Sequence, residues 1–323
     1  MRFDWFFWLV FVLLLSLYSY FLMTPVNLAT ADLGRHIKNG ELLFTGNFGL
    51  LYSNYYSYTN PDYPFVNHHW FGGMVFYIFN ILGGFLGVQL LFIVVSLAAL
   101  GVFFYVSVKY SNVVISAVAA LLFIPLIIYR DEVRPEIVSY LFAGIYYLVL
   151  RGFLDRKVPR KWLFSLIGLQ IIWVNTHIYF FVGFLILGGF WLEEVFKGIR
   201  AGGWSKEIKE LTILLVACGW VSLLNPHFGY GLIYPFQILG NYGYRVLENQ
   251  SVFFLENVIA MPVIIYFKVG LAVLVLSWVY AFYRLIRFKE GVSVTNVILS
   301  VGLSYLAFTQ VRNFALFGFF IWF

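Results

Sequence analysis

Apolar residues in this chain come in long unbroken runs, not in the alternation of a half-buried strand. The runs fall at 5–23, 87–108, 113–129, 136–150, 162–175, 178–196, 211–225, 261–283 and 292–309, and a further one extends from Phe314 to Phe323. A helix that crosses a bilayer needs roughly 17–25 apolar residues. The lengths therefore predict an all-α fold, a polytopic transmembrane helix bundle of about nine or ten spans. The shorter spans are expected to tilt or to be joined by tight turns. One domain over 1–323 is expected, and the stop inside an apolar run leaves room for a C-terminal part beyond it.

Residues 69–82 (HWFGGMVFYIFNIL) are apolar, too short to span comfortably, and followed by Gly83-Gly84. If they crossed the membrane, the cluster Arg151, Arg156, Lys157, Arg160 and Lys161 would fall outside. If they lie along the outer surface as an interfacial helix, that cluster falls inside. Lys109, Lys197, Arg200, Lys206, Lys209, Arg284, Arg287 and Lys289 then fall inside with it. Only the second threading obeys the positive-inside rule throughout. It puts the N-terminus in the cytoplasm and makes 24–86 a long first outer loop carrying membrane-parallel amphipathic helices. On the outer side it gathers that loop, 130–135 (RDEVRP), the corner Asn175-Thr176-His177, the loop 225–260 with Arg245, Glu248 and Glu256, and 310–313 (QVRN). All five histidines fall there.

Composition sharpens this picture. The chain is 62% hydrophobic and only 11% charged, with a mean hydropathy of +0.87. A soluble domain carries about 25% charged residues, so lipid is the expected solvent for much of the surface. The net charge of +6 reads as basic cytoplasmic loops, with no nucleic-acid partner. Ala29-Thr30-Ala31 has the form of a signal-peptidase site, but the run before it is longer than a secretory h-region of roughly 7–15 residues, so the first helix is expected to be retained. The single cysteine, Cys218, lies in an apolar run.

Candidate chemistry is confined to the outer segments. If 32–43 is a short helix, Asp32, Arg35, His36 and Asn39 share one face. Asp32 there is either a general base or metal-holding carboxylate or an N-cap; Lys38 and Glu41 read as a solvated face. The five tyrosines between Tyr52 and Tyr63 fit an aromatic belt or sugar stacking. His68 and His69 are adjacent, which suits hydrogen bonding in a site better than two ligands to one metal. Arg130-Asp131-Glu132-Val133-Arg134-Pro135-Glu136 is either a self-neutralising knot of ion pairs or a phosphate-binding corner. His177 and His227 stand at helix–helix corners as polar turns or site residues. Arg312 either reaches a phosphate or snorkels. No phosphate-cradling glycine loop, zinc-spaced Cys/His set or nucleophile elbow is present.

ADLGRHIKNGELLFTGN, YSYTNPDYPFVNHHW and RDEVRPEI together resemble the GT-C class of membrane glycosyltransferases, such as protein O-mannosyltransferases and aminoarabinose transferases. WVNTHIYF and LLNPHFGYGLIYP are similar to later outer corners of that class. The resemblance covers most of the chain through loose motifs. It implies an enzyme that moves a sugar from a polyprenyl-phosphate donor to a glycan, lipid or protein acceptor, with inversion, on the extracytoplasmic face of the cell or cytoplasmic membrane. By that likeness Asp32 is the catalytic acid, and Arg134 and Arg312 are candidates for the donor phosphate. Arg35, His36, His68, His69, Arg130, His177 and His227 complete the expected substrate-binding set. The paired acids of the mannosyltransferases and the DxD motif of the oligosaccharyltransferases are absent. No metal site is therefore assigned, and a divalent metal is left open as a cofactor. The alternatives are a non-catalytic subunit of a membrane assembly, or a lipid or sugar transporter.

Overall fold

The computed structural model describes residues 4–28, 32–63, 65–237 and 246–322. Ala29-Thr30-Ala31 and Arg245 lie outside the described residues. All the regular structure described is helical: α1 (Trp5–Leu22), α2 (Leu33–Phe44), α3 (Trp70–Tyr110), α4 (Val113–Ile128), α5 (Glu136–Leu154), α6 (Arg160–Thr176), α7 (Phe180–Ala201), α8 (Lys206–Val221), α9 (Phe228–Gln237), α10 (Val252–Glu256), α11 (Val263–Phe288), α12 (Val294–Thr309) and α13 (Phe314–Phe320). Single 3₁₀ turns occur at Phe48–Leu51, Leu247–Asn249 and Val311–Asn313.

Local chemistry sets several boundaries. The orphan amides at a helix start need acceptors. Asp4 supplies one for α1, Asn112 for α4, Ser205 for α8 and Ser293 for α12. Helix α7 stops at Gly202, which takes a left-handed φ of 73°. Helix α3 is two helices joined at a bend: Gly83 and Gly84 leave helical geometry, and Gly84 (φ 60°, ψ −151°) occupies a region open essentially only to glycine. The bend falls where the apolar run was expected to break.

Four helices, α1, α3, α5 and α11, are long and apolar enough to cross a membrane. The outer helices α1 and α11 turn large apolar side chains outward, among them Trp5, Leu9, Ile265, Leu276 and Ile286. Exposed apolar side chains on helices of this length suit contact with lipid and suggest a membrane protein. The interior is built around α5, which packs on α3, α6 and α7. It closes over α13, whose seven residues are all buried. Phe319 stacks on Phe103 (4.8 Å) and Phe314 on Phe267 (5.0 Å). A helix that is apolar all round belongs in a core, and this one is too short to cross a bilayer.

The bundle has two unlike ends. Helix α5 has 19 residues, roughly 28 Å at 1.5 Å per residue. Near its C-terminal end Arg151 pairs with Asp155 (3.4 Å), and the same end carries Lys109, Lys157 and Lys197. Its N-terminal end carries Glu136 and the histidine-rich segments.

Candidate functional site

Helix α2 lies on the first half of α3. It buries Leu33, His36, Asn39, Gly40 and Leu43, one face at helical spacing. The approach is closest at two glycines: a Cβ on Gly40 would stand 2.3 Å from the Gly73 carbonyl oxygen. The contact carries His36 to within 5.2 Å of the His69 ring. It also sets the Asp32 end of α2 over a cavity of about 650 Å³. That cavity lies between the two helices, the α4–α5 corner, α9 and the turns at Leu247–Asn249 and Val311–Asn313.

Eight of the ten expected site residues line it: Asp32, Arg35, His36, His68, His69, Arg134, His177 and Arg312. Asp32 precedes α2 in the left-handed region (φ 55°, ψ 12°), which aspartate tolerates better than most residues. Its side chain does not cap the helix; it accepts a hydrogen bond from Arg35 (3.1 Å), and both groups remain well exposed. Lys38 and Glu41 pair at 3.0 Å on the solvated face.

The other two stand off the cavity. Arg130 is buried, and Glu136 takes its Nε and Nη2 donors while Glu248 takes Nη1 at 2.7 Å. Three of its five N–H donors are taken up by two carboxylates that offset its charge, so at Arg130 the ion-pair reading describes the corner. His227 Nε2 donates to the Leu51 carbonyl (2.9 Å), and its ring packs on Tyr52 (5.3 Å). It helps to fix the first loop against α9 and lines a smaller neighbouring pocket.

Arg134 and Arg312 differ. Arg134 is shared between Glu132 (2.7 Å) and Glu248 (3.2 Å). Arg312 has no carboxylate at ion-pair distance among the described residues. It donates to Asn249 Oδ1 (3.1 Å) and lies over the Tyr179 ring (5.9 Å). Its Nε is buried without a hydrogen-bond partner, as are His36 Nδ1 and Asn67 Nδ2 on the same cavity wall. Unpaired buried polar atoms cost about 1–3 kcal/mol each, and these three belong to residues that line this one cavity.

Burial favours the neutral form of His36, His68, His69 and His177. Burial, reinforced by the Arg35 charge, pushes His36 down to about 3. Burial likewise pushes His68 to about 3, against a hydrogen bond to Val66 that raises it. His69 and His177 are lowered well below the ordinary value by burial, then by charges that include neighbouring imidazoles for both and Arg312 for His177. Among the described residues no group of three or more His, Cys, Asp or Glu side chains is arranged to hold a metal ion.

Several lining residues were not among those expected: Glu136, Glu248, Asn249, Tyr230 and Tyr234, together with Asn67. Glu136 and Glu248 carried a sequence signal, as acids beside the arginine-rich corner and in an outer loop. Tyr230 and Tyr234 sit four apart on α9, a periodicity hidden in an aromatic-rich stretch. Of the five clustered tyrosines only Tyr63 reaches the cavity wall. Tyr56 instead donates to Asn39 Oδ1 (2.6 Å), and Tyr58 is almost fully exposed.

No protein-family model matches the chain, and no curated protein matches it.

Proposed function

We propose that the chain is a membrane glycosyltransferase of the GT-C kind, moving a sugar from a polyprenyl-phosphate donor to an acceptor hydroxyl, with inversion. The observation that carries the reading is the presence on one cavity wall of an accessible carboxylate, Asp32, and a guanidinium, Arg312, that has no carboxylate at ion-pair distance among the described residues, in a protein with helices of membrane length. In this reading about nine or ten helical segments span the membrane. The basic end is cytoplasmic by the positive-inside rule, and the cavity opens at the extracytoplasmic face. The donor's lipid tail lies among the helices, and the acceptor is a glycan, lipid or protein.

The chemistry follows from the placement. The Asp32 carboxylate takes the proton of the acceptor hydroxyl as its oxygen bonds to the anomeric carbon. The bond from that carbon to the phosphate oxygen breaks, and its electron pair leaves on polyprenyl phosphate. Arg312, with Arg134 behind it, stabilises the charge that develops on the leaving group. Arg35 holds the Asp32 side chain in position. Asn at position 32 keeps both the shape and the tolerance for left-handed backbone, so Asp32→Asn removes the base and leaves the fold. Wild type and Asp32→Asn, each folded by thermal melt, are given a panel of polyprenyl-phosphate sugars with acceptor membranes, and free polyprenyl phosphate is measured. The expected result is release that falls by about 10²–10⁴-fold in the variant. Equal release from both proteins, or release from neither, would sink the reading.

A further inference from the structure

The hydrogen bonds around three of the cavity's histidines fix which ring nitrogen carries the proton. His68 Nδ1 faces the Val66 carbonyl at 3.1 Å and His69 Nδ1 faces the Thr176 carbonyl at 3.2 Å. A carbonyl only accepts, so both Nδ1 atoms are N–H donors, and in a neutral imidazole Nε2 is then a bare lone pair. His177 is the reverse. Its Nδ1 receives the backbone N–H of Tyr179 (3.3 Å), which only donates, so Nδ1 is bare and the proton is on Nε2. Ser139 makes the shorter of the two contacts to that atom and carries most of the hold on the tautomer. Its oxygen accepts the indole N–H of Trp173 (2.8 Å), leaving its own proton to be donated to His177 Nδ1 at 3.1 Å. Ser139 and Trp173 are fully buried.

These rings form one continuous wall. His68 and His69 are 3.9 Å apart, and His69 stacks on His177 at 5.0 Å. All three line the cavity, and none of their Nε2 atoms makes a hydrogen bond among the described residues. Each Nδ1 is tied back to the wall, so each Nε2, on the other side of the ring, is left for a ligand. The pattern is two acceptors beside one donor. Lone pairs repel an anion, so this wall is unsuited to the phosphate that Arg312 suits. A hydroxyl both donates and accepts, and a run of hydroxyls satisfies all three positions.

We propose that His68, His69 and His177 form a fixed-tautomer wall that recognises adjacent hydroxyls of a neutral sugar, with Ser139 and Trp173 as positioning residues that lock His177. The cavity is thereby divided into an anion side at Arg312 and a hydroxyl side at the imidazoles. The inference rests on the transferase reading only for its choice of a sugar as the bearer of those hydroxyls.

The test is nitrogen-15 NMR of histidine-labelled protein in lipid at pH 7, with polyprenyl-phosphate glucose and mannose as probes and unglycosylated polyprenyl phosphate as reference. The expected spectra place the proton on Nδ1 of His68 and His69 and on Nε2 of His177. At least one glycosylated probe is expected to shift the bare Nε2 signals of His68 and His69, and the reference carrier is not. Ser139→Ala, checked by thermal melt, is expected to turn His177 into a mixture of tautomers. A bare Nδ1 in His68 or His69 overturns the proposal. So does an equal response to the unglycosylated carrier, or a response to Zn²⁺ with none to any sugar. An unchanged His177 in Ser139→Ala overturns the part given to Ser139. Carrier release without any Nε2 response defeats this inference and leaves the transferase reading intact; an Nε2 response to sugar without turnover does the reverse.

Discussion

Gly40 of α2 and Gly73 of α3 meet backbone to backbone. A methyl group on Gly40 would stand 2.3 Å from the Gly73 carbonyl oxygen and 2.6 Å from the Tyr77 Cβ, and one on Gly73 would stand 2.7 Å from the His36 carbonyl oxygen. The pair sets the distance between the helix that carries Arg35, His36 and Asn39 and the helix that follows His68 and His69. Gly40→Ala is expected to destabilise the protein by about 1–3 kcal/mol through overpacking and to lower carrier release by displacing α2. Gly34→Ala, on the same helix with nothing within 4 Å of the added carbon, should stabilise by about 0.5–1 kcal/mol. Thermal melts of the two variants decide the point; a Gly40→Ala protein as stable as wild type would mean that the helices do not touch there.

The buried histidines set an acid limb of stability. His36 and His68 hold pKa values of about 3 in the fold against an ordinary value of 6.5. Below pH 6.5 the unfolded chain therefore binds protons that the folded chain refuses. The stabilisation is complete above that value and is lost as pH falls toward about 3. Each such histidine contributes a slope of about 1.4 kcal/mol per pH unit. Glu248 acts in the same direction but at lower pH: burial raises its pKa, the charge and hydrogen bond of Arg130 with the charges of Arg312 and Arg134 together outweigh burial, and its stabilisation is lost as pH falls from the ordinary carboxylate value toward the lowered one. Melting temperature should thus fall steadily from pH 6.5 to 5, and less steeply in His36→Gln. A flat profile over that interval would show that the imidazoles are not buried and neutral.

Arg130 is expected to be structural. Glu136→Gln leaves a buried guanidinium short of its main partner and should cost about 3–5 kcal/mol. Replacing both residues, Arg130→Met with Glu136→Leu, should cost less than the single change, because no uncompensated charge remains. Breaking the exposed Lys38–Glu41 pair should cost under about 1 kcal/mol. Urea or thermal titration of the three variants measures the order, and a harmless Glu136→Gln would contradict it.

Arg312 is expected to matter more to turnover than Arg134. Its guanidinium has no carboxylate partner among the described residues, whereas Arg134 is divided between Glu132 and Glu248. Arg312→Ala should lower carrier release by about 10²-fold, the usual loss for one preorganised charge-stabilising donor. Arg312→Lys should recover only part of it, because an ammonium lacks the planar fork. Equal losses at 134 and 312 would move the phosphate to a site between them.

Much of the architecture was legible because apolar run length is a one-dimensional signal. The runs at 5–23, 113–129 and 292–309 coincide with Trp5–Leu22, Val113–Ile128 and Val294–Thr309 to within a residue or two. The break at Gly83-Gly84 was readable because no other residue takes the φ and ψ found at Gly84. The amphipathic spacing that placed Asp32, Arg35, His36 and Asn39 on one face of a helix was local in the same way. What sequence could not supply were relations across the chain. The corner RDEVRPE admitted both a knot of ion pairs and a phosphate site; its own Glu136 and Glu132 make most of the knot, and Glu248, which joins both arginines, lies 118 positions from Arg130. His177 reads as a polar turn until Ser139 and Trp173 close behind it. Helix α13 reads as one more apolar run until its burial on every side removes it from the membrane surface.

The sequence by itself therefore determined the helices, their breaks and the kinds of side chain that collect at one end of the bundle, because each follows from the solvent and the backbone preferences of neighbouring residues. Only the tertiary structure decided that Arg130 is held by carboxylates and Arg312 by Asn249, and which carbonyl or amide meets Nδ1 of His68, His69 and His177. Those outcomes are set by short-range contacts, several of them between residues far apart in the chain, and a partner at 3 Å in space leaves no periodicity to read.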